Sequence, residues 1–309
     1  MDDERMVCSM TIRNLYRESC IYEYAIVREM MKNNDSISVD TESRGYITGK
    51  TSYECVPQEE QALCDRIAEK VTEYLIKKEP ALEKRPMTAD IIIIEPFKRN
   101  EDERTLIFTD DNGKEIGVLV KYYSHSTKHI RAMRPNVMME SIYHVKTDET
   151  ELDIEFDKNT VTYEEMKRDK DAVYERYLSF AQKMNYYAYK LFSDAPKLLI
   201  QSLLGPTDYY CVDISDKQRN IRITAFNMNG TLNVVSVPYP KELIEIQSGN
   251  YSTTAFKKNM LTMIFDGGWM VTMRLHLGAV QREDRPVLLK YDVSLKGMPY
   301  HIDDEIIPL

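Results

Sequence analysis

Two charged residues bracket apolar runs in a way that could serve a phosphate ester. Asp90 opens the run Ile91–Ile94, and Lys121 lies near the end of EIGVLVKYY. The two-residue period of a strand puts Glu115, Gly117, Leu119 and Lys121 on one face. If the two strands are neighbours, an aspartate and a lysine converge at one sheet end, with Glu115 further along. That grouping suits metal-assisted phosphodiester hydrolysis. Carboxylates hold Mg²⁺ while waters stay in place, the metal polarises the phosphate and acidifies a water, and the lysine steadies the water or the developing charge. An Asp and a Lys that merely frame strand ends would read the same way, so spacing leaves both open.

Past Lys121 the chain turns basic. His125-x-x-Lys128-His129-x-Arg131 has the spacing of a helical turn, with 125, 128 and 129 on one side. Its HxxxH lacks the glutamate of HExxH and a third ligand nearby, leaving a phosphate-contacting set or a solvated basic surface. Ser124 and Ser126 lack a GxSxG setting. No Walker loop or GxGxxG fingerprint occurs, which argues against nucleotide-driven and dinucleotide chemistry. A second basic stretch holds the single tryptophan, Trp269. In WMVTMRLHL, Arg274 and His276 share a face with Met270 and Thr272. Arg274 could pair with Asp292, or it could act with its basic neighbours to clamp phosphates or read base edges.

The elements that must position these residues follow from periodicity. Residues 4–33 and 58–78 read as amphipathic helices, the second with acids at its start and lysines at its end. Strands are expected over 89–94, 104–109 and 114–123, then a long helix over about 163–193. Short strands follow between 208 and 298, with a hairpin at Asn229-Gly230. This layout is mixed α+β. Hydrophobic residues make up 43% of the 309 and charged residues 29%, ordinary for a globular chain. The net charge of −9 argues mildly against nucleic acid. Its distribution leaves the partner open, since a polyanion could be gripped on one face: from Lys114 to Arg134 there are five Lys/Arg and one acid. The five scattered cysteines show no CxxC, so free thiols in the cytoplasm are expected. The charged N-terminus is unlike a signal peptide, and no apolar run reaches the roughly 20 residues that span a bilayer.

Taken together, three separated stretches resemble the HaeIII-type restriction endonucleases of the PD-(D/E)XK superfamily. IGVLVKYYSHSTKHIR is similar to the family's IG-x-S-[VI]-K-H-N-H-x-A-x-K-H-S-R, keeping Ile116, Gly117, Lys121, Lys128, His129 and Arg131 in register. The C-terminal signature F-D-N-G-W…R-I-H…SLKFD…G-x-P resembles Phe265-Asp266-Gly267-Gly268-Trp269, Arg274-Leu275-His276, Leu289-Lys290-Tyr291-Asp292 and Gly297-Met298-Pro299. SCIYEYA resembles GRAFEYA and puts Glu23 on the first helix, and Asp90 matches the aspartate that begins the metal-site strand. The sequence departs from the pattern at Leu119, two before the lysine, where the superfamily carries an acid, and at Met87, three before Asp90.

The resemblance implies a type II endonuclease that uses Mg²⁺ to cut double-stranded DNA at a short specific sequence. Asp90 would hold the metal, with Glu115 or Glu23 as second acid, and Lys121 would position the water. Lys128, His129, Arg131, Arg274, His276 and Lys290 would contact DNA. A nuclease core over 1–200 and a β-rich part over 201–309 packed on it are expected, together with a homodimer and a companion DNA methyltransferase. The rivals are a DNA-binding relative without catalysis and a nuclease for RNA or modified DNA.

Overall fold

The computed structural model of the chain describes residues 15–93, 102–122, 129–133, 168–169, 193–215, 219–249, 260–277 and 289–309. The expected helix over 163–193, residues 4–14 and Lys128 lie outside these, apart from residues 168–169 and 193. Two compact units emerge, and each draws on both early and late chain. The first comprises Met1–His125, Gly205–Val237 and His301–Leu309, the second Ser126–Leu204 and Pro238–Tyr300.

The first unit opens with α1 (Leu15–Asn33), β1 (Ile37–Val39), α2 (Arg44–Cys55), α3 (Gln58–Lys78) and the short α4 (Ala81–Lys84). From Cys20 to Val27 every residue of α1 is buried, as expected of a helix enclosed on all sides. It packs on α2 and α3 and against the sheet. Helix α2 starts at Ser43, whose hydroxyl caps the Tyr46 N–H. It approaches α1 closely at Gly49, where a Cβ would stand 2.7 Å from the Cys20 carbonyl oxygen. Helix α3 buries Cys64, Ile67, Ala68, Val71 and Leu75 and carries Glu59 and Glu60 in its first turn and Lys77 and Lys78 in its last, as periodicity and dipole required.

Against these helices lies a seven-stranded sheet. Its strands are β1, β2 (Met87–Ile91), β3 (Leu106–Asp110), β4 (Glu115–Tyr122), then β6 (Tyr209–Ser215), β7 (Asn220–Phe226) and β12 (Asp304–Pro308), in the order β1-β2-β3-β4-β6-β7-β12. The β1–β2 and β4–β6 pairs are parallel and the rest antiparallel. One face presents Ala89, Phe108, Ile116, Val118, Val120, Val212 and Ile223 to the helical core. The other face carries Thr88, Asp90, Thr109, Glu115, Lys121, Asp213 and Arg222 beside the buried Ile107, Leu119 and Cys211. This is the expected mixed α+β architecture.

The second unit holds α5 (Pro196–Leu204) and an antiparallel sheet in the order β5-β11-β10-β9-β8, where β5 is His129–Met133, β8 Leu243–Gly249, β9 Met260–Phe265, β10 Met270–Leu277 and β11 Leu289–Gly297. Alternate residues Leu261, Met263, Phe265, Val271, Met273, Val293 and Leu295 are buried. Trp269 is buried between β9 and β10, and its indole N–H donates to the Pro238 carbonyl at 3.1 Å.

Three expectations need correction. His129 does not continue a helical turn: it starts β5, with His129 opposite Ser294 and Ile130 opposite Val293, so the ladder to β11 overrides local spacing. The Asn229-Gly230 turn does not lead into a strand. Asp208 accepts the N–H groups of Asn229 and Thr231, and the Asn227 amide donates to the Leu232 and Val234 carbonyls. Side chains there satisfy backbone groups that a ladder would otherwise take. Finally, Cys55 is disulfide-bonded, whereas Cys20, Cys64 and Cys211 are free and buried. No helix among the described residues is long and apolar enough to cross a membrane.

Candidate active site

Strand β3 lies between β2 and β4, so Asp90 and Lys121 are not on neighbouring strands. The registers put Asp90 opposite Ile107 and Ile107 opposite Gly117. Asp90, Gly117 and Lys121 therefore share a face, but Lys121 lies four residues further on. That is roughly 13 Å along the strand and 10 Å across two strands. Asp90 is exposed at its own level.

Glu115 is further still from Lys121, at the opposite end of β4, and it is already engaged. Its Oε2 accepts from Arg104 at 2.6 Å, and the same guanidinium holds Asp102 at 2.6 and 2.9 Å. Arg104 is 7% exposed. It fits because position 117 is glycine: a Cβ there would stand 2.0 Å from Arg104 Cδ. The Asp102 bonds, with Glu115 behind them, hold the Arg104 guanidinium above its ordinary range. Burial pushes Asp102 up, but the Arg104 guanidinium and N–H outweigh it and hold the carboxyl below the usual range. This cluster ties the residues before β3 onto the polar face of the sheet.

At the Lys121 end β4 runs past its last pair with β3 while staying paired with β6 through Tyr122. The β3–β4 ladder stops at Leu106 opposite Val118, and the Val120 N–H turns to the Thr105 hydroxyl at 3.1 Å. Helix α1 reaches this end of β4 on the helical face, opposite Lys121: Tyr22 stacks on Tyr122 at 5.1 Å, and next to Tyr22 stands Glu23. Its carboxyl is fully buried, and neither oxygen has a hydrogen-bond partner among the described residues. Burial pushes its pKa up to about 8, against the smaller opposing influence of the nearby Thr105, Cys20 and Ser19. A buried acid without a partner is costly, which makes Glu23 the one polar exception in an otherwise apolar helix segment.

Of the four acids and bases expected at the centre, the fold puts Glu23 on the helical side near the end of β4, whereas Lys121, alternating with Tyr122, rises from the opposite face. It leaves Asp90 and Glu115 elsewhere on the sheet. A residue the sequence reading missed stands beside Lys121: Asp213 on β6, its direct partner in the parallel register. Its signal was a lone acid at an alternate position of the apolar run YYCVDIS. Among the described residues no group of three His, Cys, Asp or Glu side chains could hold a metal. Mg²⁺, however, takes one or two protein carboxylates and completes its shell with waters and substrate oxygens. Glu23, buried without a partner, fits that limited demand.

The residues expected to meet DNA belong to the second unit. Arg274 on β10 stands opposite Asp292, and His276 opposite Lys290 on β11. Half-buried Arg274 is on the same face as Thr272, away from buried Val271 and Met273. His129 and Arg131 lie on β5, with Arg131 in the irregular stretch between the pairs of Ile130 and Met133.

Comparison with known proteins covers nearly the whole chain. The type II restriction enzyme HaeIII of Haemophilus aegyptius is 24% identical over 301 residues, covering 90% of this chain and 93% of that protein. No solved structure matches the chain. The family of the HaeIII restriction endonuclease matches over residues 19–299, nearly the full length of a mixed α+β, restriction-endonuclease-like fold, and the chain belongs to that family.

Proposed function

We propose that this protein is a divalent-metal-dependent type II restriction endonuclease that hydrolyses phosphodiester bonds of double-stranded DNA at a short specific sequence. The observation that carries the reading is Glu23: a carboxyl buried without a hydrogen-bond partner among the described residues, near the end of β4 that carries Lys121 on its other face. Glu23 would hold Mg²⁺ in preference to Glu115, which Arg104 occupies, and Asp90 would act at its own level of the face. When bound, the metal supplies charge that polarises the phosphate and acidifies a water. Lys121 would orient that water and stabilise the charge growing on the phosphate. Lys128, His129, Arg131, Arg274, His276 and Lys290 would grip phosphates and read base edges. A homodimer acting in the cytoplasm, with a companion methyltransferase protecting host DNA, completes the proposal.

The test is incubation with mixed plasmid and phage DNA, with Mg²⁺ and then with EDTA. Discrete metal-dependent fragments are expected. Lys121→Ala should abolish cutting while leaving DNA binding largely intact, and unchanged cutting by that variant would sink the assignment. One observation favours a second reading, a DNA-binding relative without catalysis: Leu119, two residues before the lysine, is apolar and only 5% exposed. A gel shift without metal-dependent fragments would select it.

A further inference from the structure

The proposed nuclease site leaves one charged neighbour of Lys121 without a role. Asp213 stands in register with Lys121 on the adjacent parallel strand. The two side chains therefore rise from one face, with backbones roughly 5 Å apart. The preceding residues on that face, Leu119 and Cys211, are also paired with each other and are 5% and 1% exposed. The pair thus stands against an apolar floor, where charges act on one another more strongly than in water. One Asp213 carboxylate oxygen is sealed from solvent. On its far side Asp213 faces Arg222, whose guanidinium charge it helps to stabilise. Arg222, however, directs Nε and one terminal nitrogen at Asp304, at 2.8 and 2.9 Å. Of the acids on this face, Glu115 is held by Arg104 at the other end of β4 and Asp90 is two strands away. By register, Asp213 is the acid beside the lysine.

We propose that Asp213 is a positioning residue for DNA cleavage: its carboxylate sets where the Lys121 ammonium stands at the end of β4. A lysine on a four-carbon stem samples many rotamers, and a neighbouring carboxylate selects among them. The inference rests on the proposed nuclease function, since Lys121 has a reaction to serve only there. Displacing a reacting group by about 1 Å can cost roughly 100-fold in rate.

The experiment compares wild type, Asp213→Asn, Asp213→Glu and Lys121→Ala in Mg²⁺-dependent cleavage of a cognate duplex and in duplex binding without metal. A parallel measurement follows the rate at which an amine-acetylating reagent modifies Lys121, read by mass spectrometry. Asp213→Asn should lower kcat roughly 100-fold while KM and binding stay within about twofold. Asp213→Glu should recover much of kcat, and Lys121 should acetylate several-fold faster in the Asn variant. Unchanged kcat and unchanged acetylation would overturn the proposal. A loss of binding and of thermal stability in step with activity, without rescue by Glu, would also overturn it, because that pattern marks a purely structural ion pair. Faster acetylation in the Asn variant alongside a wild type that cuts no DNA would refute the nuclease reading and, with it, the catalytic part of the proposal.

Discussion

Replacing Glu23 with glutamine keeps the shape of the side chain and removes its charge, which isolates what burial does to this acid. In the folded chain burial holds the carboxyl protonated up to about pH 8, against an ordinary value of 4.5. Between those values the folded state binds a proton that the unfolded state has released. Stability from this group is therefore fully present below pH 4.5 and is lost as pH rises through about 8. Over that interval, at about 1.4 kcal/mol per pH unit, the loss approaches about 5 kcal/mol before the pocket relaxes. Urea denaturation in EDTA, at steps from pH 4.5 to 8.5, measures it for wild type and Glu23→Gln. The wild type should lose several kcal/mol relative to the variant across this range. Asp102 and Asp304 act in the opposite sense: their carboxyls are held low, so their stability is lost only as pH falls below 3.8, and it cancels in the difference. Adding Mg²⁺ at pH 8 to 100 times its dissociation constant should stabilise the wild type by about 2.7 kcal/mol and leave the variant unmoved. Parallel stability curves for the two proteins, with no Mg²⁺ response in either, would refute the reasoning.

Gly117→Ala would drive a methyl group into Arg104, which cannot withdraw without breaking its bonds to Asp102 and Glu115. Urea denaturation should show a loss of about 1–3 kcal/mol, the usual cost of overpacking. Asp304→Asn removes the carboxylate that pairs β12 to Arg222 and accepts from the Thr224 hydroxyl at 2.6 Å. With the Arg222 side chain 40% exposed, solvent screening limits the cost to about 1 kcal/mol at pH 7. The cost should shrink as pH falls through the lowered pKa of Asp304, and a difference undiminished at pH 2 would contradict it.

The sequence revealed the elements whose periodicity is decided locally and hid those decided at a distance. Helix α3 was legible from Leu63, Ile67, Val71 and Leu75 together with the charges at its ends, and β4 from the apolar residues Ile116, Val118 and Val120 at every second position, although Gly117 and Leu119 between them are buried as well. Helix α2 was not: RGYITGKTSYEC owes its place to two glycines that admit neighbouring backbone and to the Ser43 cap, none of which forms an apolar stripe. Strand β12 carries two prolific strand formers, Ile306 and Ile307, but is mostly exposed, and only its pairing with β7 defines it. The strand order was hidden for the same reason. Whether Asp90 and Lys121 sit side by side depends on where the chain from 94 to 105 returns, and alternation within either strand is silent on that.

Glu23 illustrates how such a limit bears on function. By residue type it looks like any acid on a helix, and a solvated glutamate there would mean little. Its meaning comes from α1 being enclosed by α2, α3 and the sheet, a property of the whole first unit. An enclosed helix that served only packing would carry an apolar residue at this position, because the ionised acid destabilises the fold and even the protonated one lacks a partner. Retaining the carboxyl has a physical rationale if something arrives to share its proton or its charge. The place where that would happen is narrow: the end of β4 where the ladder to β3 has stopped, with Lys121 and Asp213 paired on one side and Thr105 bridging to Val120.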